Sequence, residues 1–203
     1  MCGVGTRLYT LGSNTSNFDV TSDTVPILTR PFDNVTLGRQ DSDVVTYPGS
    51  TTGGISVQTN SRVGGGDVFY RRMCFQDACH RIDFIAGYQF AKIDQDLRIS
   101  SNRTMIATGG TIAFGTVVEN RDIFDTENTY NAGELGLMAE YDRGCITWNL
   151  LAKVGLGKMS QRLQVNGSTV TTVPGQAPVV TSQGLLALDS NSGTFERNVF
   201  TVS

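Results

Sequence analysis

The sequence predicts an all-β chain: an antiparallel up-and-down meander of the outer-membrane β-barrel type, incomplete and open within its 203 residues. Three observations carry this reading. Residues 130–165 alternate apolar and polar side chains on both arms of a hairpin. The apolar row on the second arm runs from Ile146 to Leu156, matching the roughly 9–11 residues that a tilted strand needs to cross a bilayer. Connections alternate between short and long, as they do between the two rims of a bacterial outer-membrane barrel.

The hairpin is the clearest element. Asp142-Arg143-Gly144 is a tight-turn signal between its arms. Successive strand side chains point to opposite faces. Leu135, Leu137, Ala139 and Tyr141 therefore share one face with Ile146, Trp148, Leu150, Ala152, Val154 and Leu156 of the second arm. Glu134, Gly136, Met138 and Glu140 share the other, with Asn149, Lys153, Gly155 and Gly157. A soluble sandwich has the same period. The length of the apolar row and the charged and glycine-rich opposite face favour a barrel wall.

The remaining elements follow in order. Val4–Leu11 reads as a strand rising into polar 12–23. Pro26–Asn34 carries two prolines and too much apolar content for a solvated loop, which predicts an ordered segment packed on the rim or folded inward. Tyr47-Pro48-Gly49 marks a turn. Ile55–Cys74 is the next strand, with a bend or bulge expected at Gly64–Gly66, Val68 and Tyr70 outward, and Asp67, Phe69 and Arg71 inward. After a short turn at Gln76–Ala78, residues 81–99 form its partner. There Ile82, Phe84, Ala86, Tyr88 and Phe90 form the apolar row, which ends at Lys92, so this strand is expected to project beyond a membrane. A long connection spans 102–119, and 121–130 returns the chain to the hairpin. Gly184–Leu188 and Ser190–Gly193 read as a second ordered loop after polar 168–182. Residues 195–203 begin another strand. Six strands are expected, near 4–13, 55–75, 80–99, 121–141, 145–165 and 195–203.

Composition excludes several classes. A net charge of −3 gives no strong pull toward nucleic acid. No stretch of about 18 apolar residues exists, so no transmembrane helix is predicted. Met1-Cys-Gly-Val-Gly lacks the basic and apolar regions of a secretion signal, which alone would predict a cytoplasmic chain. Strand-like Gly3–Leu11 instead predicts a chain that starts partway through a single barrel domain spanning 1–203, truncated at one or both ends. The four cysteines form no CxxC or Cys/His cluster, so no zinc site is expected. Cys74 and Cys79 flank a short turn and are open to two readings, a cross-strand disulfide or two free thiols.

Candidate chemistry is sparse. The one histidine, His80, lies beside a short turn, away from the long loops where a site would open, so no enzyme and no cofactor are expected. Asp122, Asp125 and Glu127 with Asn128 offer oxygen ligands but match no calcium loop, and read as a solvated acidic loop. The inward charged set is Arg81, Asp83, Glu134, Glu140 and Lys153. It either lines a polar pore or forms a salt-bridge plug. The outward, lipid-facing set is Ile82, Phe84, Tyr88, Leu135, Leu137, Ile146, Trp148, Leu150, Val154 and Leu156.

Several stretches together resemble a known family. They are Pro26-Ile-Leu-Thr-Arg-Pro-Phe32, Arg81-Ile-Asp-Phe-Ile-Ala-Gly-Tyr-Gln-Phe90, Phe124-Asp-Thr-Glu-Asn-Thr-Tyr130, Gly133-Glu-Leu-Gly136, Lys153-Val-Gly-Leu-Gly157 and Gly184-Leu-Leu-Ala-Leu-Asp-Ser-Asn-Ser-Gly193. In this order they resemble the planctomycete-type outer-membrane β-barrel proteins of unassigned function, from about Leu11 to the C-terminus. Asn131, Ala132 and Glu134 depart from the residues that the family favours. The resemblance implies a bacterial outer-membrane location, with membrane lipid as partner and small solutes as passengers through a pore if one is open. It implies no catalytic residues. The function expected is a porin-like channel or structural envelope protein. The alternative is a secreted or surface-exposed β-sandwich that binds other molecules.

Overall fold

The computed structural model describes residues 2–35, 37–109 and 111–203. Its strands are β1 (Cys2–Thr21), β2 (Leu28–Asn34), β3 (Arg39–Thr46), β4 (Thr51–Gln76), β5 (His80–Met105), β6 (Val117–Arg143), β7 (Ile146–Thr172), β8 (Val179–Thr181) and β9 (Gly193–Val202). Seven of them form one antiparallel sheet, in the order β1-β4-β5-β6-β7, with β8 and β9 both pairing on the far side of β7. The two remaining strands, β2 and β3, pair with each other in the connection between β1 and β4. Strand order along the sheet is sequential, and β1 and β9 lie at its two edges without pairing, so the sheet is open.

The strands are longer than expected. β4 to β7 have 26, 26, 27 and 27 residues, or about 85–90 Å at a rise of about 3.3 Å per residue. Segments 12–21, 102–105, 117–120 and 166–172, expected as connections, continue the strands. They are rich in Ser, Thr, Asn and Gly. Polar residues dominate both faces and the few apolar ones do not alternate regularly, so no period marks them as strands, although hydroxyl-bearing and β-branched residues suit an extended backbone. Residue 110 of the 102–119 connection lies outside the described residues.

Two local details differ from expectation. The bulge lies on β1, between Thr10 and Gly12, where Gly12 takes a positive φ of 68°; the facing Gly64–Gly66 keep a regular ladder with β5. The turn between β6 and β7 is Gly144-Cys145, closed by the Arg143–Ile146 pair, with Gly144 at φ 62° supplying the left-handed residue.

The register sorts side chains into an outer and an inner face. From the row His80–Tyr141–Trp148 up to Phe90–Asn131–Lys158–Phe200, the outer face is mostly apolar and exposed. The rows above, Lys92–Thr129–Ser160 and Asp94–Glu127–Arg162, are polar and charged, and Lys92 Nζ pairs with Glu127 at 2.8 Å. The buried side chains fall into two inner groups. Ile85, Tyr130 and Ala132 lie at the short-turn end, and Val45, Val118, Val165 and Ala187 toward the end of the long inserts.

Candidate functional site

At the short-turn end the inner face carries two groups of ion pairs, a chain through Arg7, Asp67, Lys153 and Glu134 and a cluster of Arg71 and Arg81 on Asp83. Arg7 grips Asp67 with two hydrogen bonds, Nε to Oδ1 at 3.0 Å and Nη2 to Oδ2 at 2.7 Å, while its guanidinium lies 4.9 Å from the Phe69 ring centre. Lys153 Nζ donates to Asp67 Oδ2 at 2.6 Å and to Glu134 Oε2 at 2.5 Å. Arg71 and Arg81 both pair with the fully buried carboxylate of Asp83, Arg81 Nε at 3.2 Å. Glu134 is 1% exposed, and Lys153 is its ion-pair partner.

The sheet shapes this chain. Lys153 pairs in register with Gly136, and a Cβ on Gly136 would meet Lys153 Cγ at 2.8 Å. The lysine stem therefore lies across the glycine to reach Glu134. Asp67 stands on β4, three strands away from β7. Strands lie about 4.8 Å apart, so their backbones are separated by about 14 Å along the sheet. A direct Lys153–Asp67 contact needs the sheet to curl until side chains bridge its hollow.

A second cluster lies higher on the same face. Arg30 of β2 is 5% exposed, and it donates to Asp122 Oδ2 at 2.6 Å and to Ser101 Oγ at 2.8 Å. The other oxygen of Asp122 accepts the backbone N–H groups of Leu186 and Ala187, each at 2.9 Å. One fully buried carboxylate thus anchors both the β2–β3 hairpin and the 182–192 loop against the inner face. Asn191 orders that loop further, accepting from Leu188 N at 2.7 Å and donating to Leu186 O at 2.9 Å. Pro26–Asn34, expected as an ordered segment on the rim or folded inward, contains β2 and takes the inward place, and the expected second loop corresponds to 182–192.

The residues singled out from the sequence take these places. Glu134 and Lys153 lie in the lower ion-pair chain, and Arg81 and Asp83 in the cluster beside it. Glu140 is half-buried on the same face and makes no ion pair among the described residues. Ile82, Phe84, Tyr88, Leu135, Leu137, Ile146, Trp148, Leu150, Val154 and Leu156 are all exposed on the outer face. Leu150 stands in the row of Ile82 and Ala139, near the short turns, while Val154 stands mid-band beside Leu135 and Ala86. Cys74 and Cys79 are free thiols, as are Cys2 and Cys145. Cys74 occupies the bulge between Met73 and Phe75, and Cys79 sits in the turn, so the two do not face each other across the ladder and the disulfide reading does not hold.

Asp122, Asp125 and Glu127 form no acidic loop. They lie within β6, where alternation sends Asp122 inward and Asp125 and Glu127 outward. Among the described residues no group of His, Cys, Asp and Glu could hold a metal ion. His80 is exposed, with Nδ1 3.0 Å from Asp77 Oδ1 and its ring 4.8 Å from that of Tyr141. Asp77 Oδ1 also accepts from Cys79 N at 2.8 Å and His80 N at 2.7 Å, and these bonds hold its carboxyl below the usual value.

Sequence reasoning places Asp67 and Arg71 inward but does not join them to Lys153 and Asp83, and it misses Arg7, Arg30 and the anchoring role of Asp122. A lone arginine inside the proline-bracketed apolar segment Pro26–Phe32 is the signal for Arg30, because such a cation is rarely buried without a partner.

A family model described as "Putative beta barrel porin-7 (BBP7)" matches residues 1–203. Searches of curated proteins and of solved structures found no match. The chain belongs to this β-barrel porin family, and its all-strand antiparallel architecture agrees with that assignment.

Proposed function

We propose that this chain forms the wall of a bacterial outer-membrane barrel whose interior is plugged or only narrowly open, so that its role is structural or that of a restrictive pore. The observation that carries the reading is the height of the outer apolar band. On β7 its outward side chains are apolar from Trp148 to Leu156 and are bounded above by Lys158, and the ten residues from Trp148 to that lysine, rising about 3.3 Å each at a tilt of about 40°, climb about 25 Å, the height of the lipid-facing band of such barrels. No helix among the described residues is long and apolar enough to cross a membrane, so strands are the elements available for crossing. Trp148 and Tyr141 at one border, with Tyr88 and Phe200 near the other, match the aromatic girdles of such a band.

Inside, the Lys153–Asp67 bridge and the docked hairpin and loop narrow the hollow at two heights. Fixed ion pairs of both signs favour neither anions nor cations. A β-sandwich would cover its apolar face with a second sheet; here that face is exposed and β2–β3 lies on the polar side.

Electrophoresis and conductance test the proposal. Protein extracted from its membrane should migrate differently in cold and heated detergent gels, and should give small single-channel steps or none in planar bilayers. A detergent-independent soluble monomer refutes the membrane reading. Large, stable conductance steps refute the narrow interior.

A further inference from the structure

The two ion-pair groups of the inner face differ in charge balance. In the chain, Arg7 and Lys153 answer Asp67 and Glu134. In the cluster, Arg71 and Arg81 share the single, fully buried carboxylate of Asp83, which leaves one positive charge over. Glu140 stands opposite Arg81 in the β5–β6 register. Arg81 nevertheless turns its Nε to both oxygens of Asp83, each at 3.2 Å, and Glu140 makes no ion pair among the described residues. Two guanidiniums held on one carboxylate repel each other, and a second anion between them relieves that repulsion.

Both arginines line a cavity of about 330 Å³ at the short-turn mouth, and no carboxylate lines it with them among the described residues. Their side chains are 28% and 31% exposed. A guanidinium carries five N–H donors, and Arg81 spends only the one on Nε, so both of its amino groups remain for a ligand. The other walls are the ring of Phe69 and the backbone of Gly3 and Gly5. Gly3 faces Arg71 in the β1–β4 ladder, and a Cβ there would meet nothing within 4 Å, so the space beside that guanidinium is open. The Phe69 ring lies across Gly5, where a Cβ would strike it. We propose that this cavity binds a small organic monocarboxylate, its head bridging Arg71 and Arg81 and its flat body lying along Phe69 and the bare backbone of Gly3. Guanidinium forks match the geometry of a carboxylate, and one surplus charge matches a single negative charge. The site goes beyond the barrel-wall reading and rests on the inner-face geometry alone.

The test titrates labelled benzoate, benzamide and acetate by equilibrium dialysis into protein extracted from its membrane. Benzoate should saturate one site. Benzamide has the body without the charge and acetate the head without the body, and each should bind at least about tenfold more weakly. Arg81→Gln should weaken benzoate about tenfold. Gly3→Leu should do the same by filling the open space, with both ion pairs to Asp83 left in place. Glu140→Gln should bind as tightly as wild type or more tightly, because it removes a competing anion from beside Arg81. Benzoate binding that never saturates, benzamide or acetate binding equal to benzoate, unchanged affinity in Gly3→Leu, or weaker binding in Glu140→Gln overturns the proposal. Saturable benzoate binding that Gly3→Leu and Arg81→Gln both weaken and Glu140→Gln keeps supports it.

Discussion

Replacing Asp122 by alanine should release two inserts at once. The carboxylate is fully buried and binds Arg30 through one oxygen and the Leu186 and Ala187 amides through the other. Its removal leaves Arg30 buried with Ser101 Oγ as its remaining side-chain acceptor. Breaking a buried pair from one side costs about 3–5 kcal/mol, and each stranded amide adds part of a further 1–3 kcal/mol. Because the groups share one site these do not add in full, and a combined loss of roughly 4–6 kcal/mol is expected. Few local opening equilibria exceed that, so residues 28–46 and 182–192 should lose protection together. Hydrogen exchange followed by mass spectrometry reads this directly. Amides of β5 and β6 between residues 80 and 90 and between 131 and 141 should keep their wild-type rates. Asp122→Asn, which keeps an acceptor for the amides but not the charge, should fall between. The double change Arg30→Met with Asp122→Leu should recover much of the loss, since no charge is left unpaired. Unchanged exchange in both inserts after Asp122→Ala would refute the anchoring argument, as would release of one insert without the other.

Three further outcomes follow. Val154→Arg, mid-band on the outer face, should cost about 2–4 kcal/mol in folding titrations into lipid vesicles, whereas Leu150→Arg near the short-turn border should cost about 0–1 kcal/mol; equal costs would contradict the placement of the band. The carboxyl of Asp77 is held below its ordinary value by the Cys79 and His80 amides, so its support of the β4–β5 turn is present above the unfolded value near 3.9 and lost as pH falls through the lower folded value. Amide protection of Cys79 and His80 should therefore decline below about pH 4 in wild type and stay flat in Asp77→Asn. All four cysteines are exposed and unbridged, so each should accept alkylation without reductant, and mass measurement showing fewer than four adducts would contradict the free-thiol assignment.

How much was legible in the sequence depended on whether the two faces of a strand differ. Where one face of a strand is apolar and the other polar, alternation sorts the faces residue by residue: Ile146, Trp148, Leu150, Val154 and Leu156 lie on the outer face, with Glu134 and Lys153 on the inner one. Beyond Ile99 and Val165 polar residues dominate, the period fades, and the chain reads as connections although the ladder continues to Met105 and Thr172. The acidic run Asp122–Glu127 was misread because it carries charges on both faces. Pairs between residues distant in sequence left no local trace: Lys153 meets Asp67 because the sheet curls, and Arg30 meets Asp122 because a connection folds back onto the sheet. The turn was found from Gly144, yet its Gly144-Cys145 register needed the backbone.

The central claim is that the outer face from Trp148 to Lys158 meets lipid and the strand above it meets water. A single-cysteine scan along β7 from Ile146 to Thr172, in a background freed of the native cysteines, tests it most directly. Each site would carry a fluorophore in vesicles containing a quencher attached to the lipid chains. Strong quenching is predicted at Leu150, Ala152, Val154 and Leu156, weak quenching at Asn149, Leu151, Lys153 and Gly155, and uniformly weak quenching from Ser160 onward. Quenching without a period of two between 148 and 158, or a period that persists through Thr172, would contradict it.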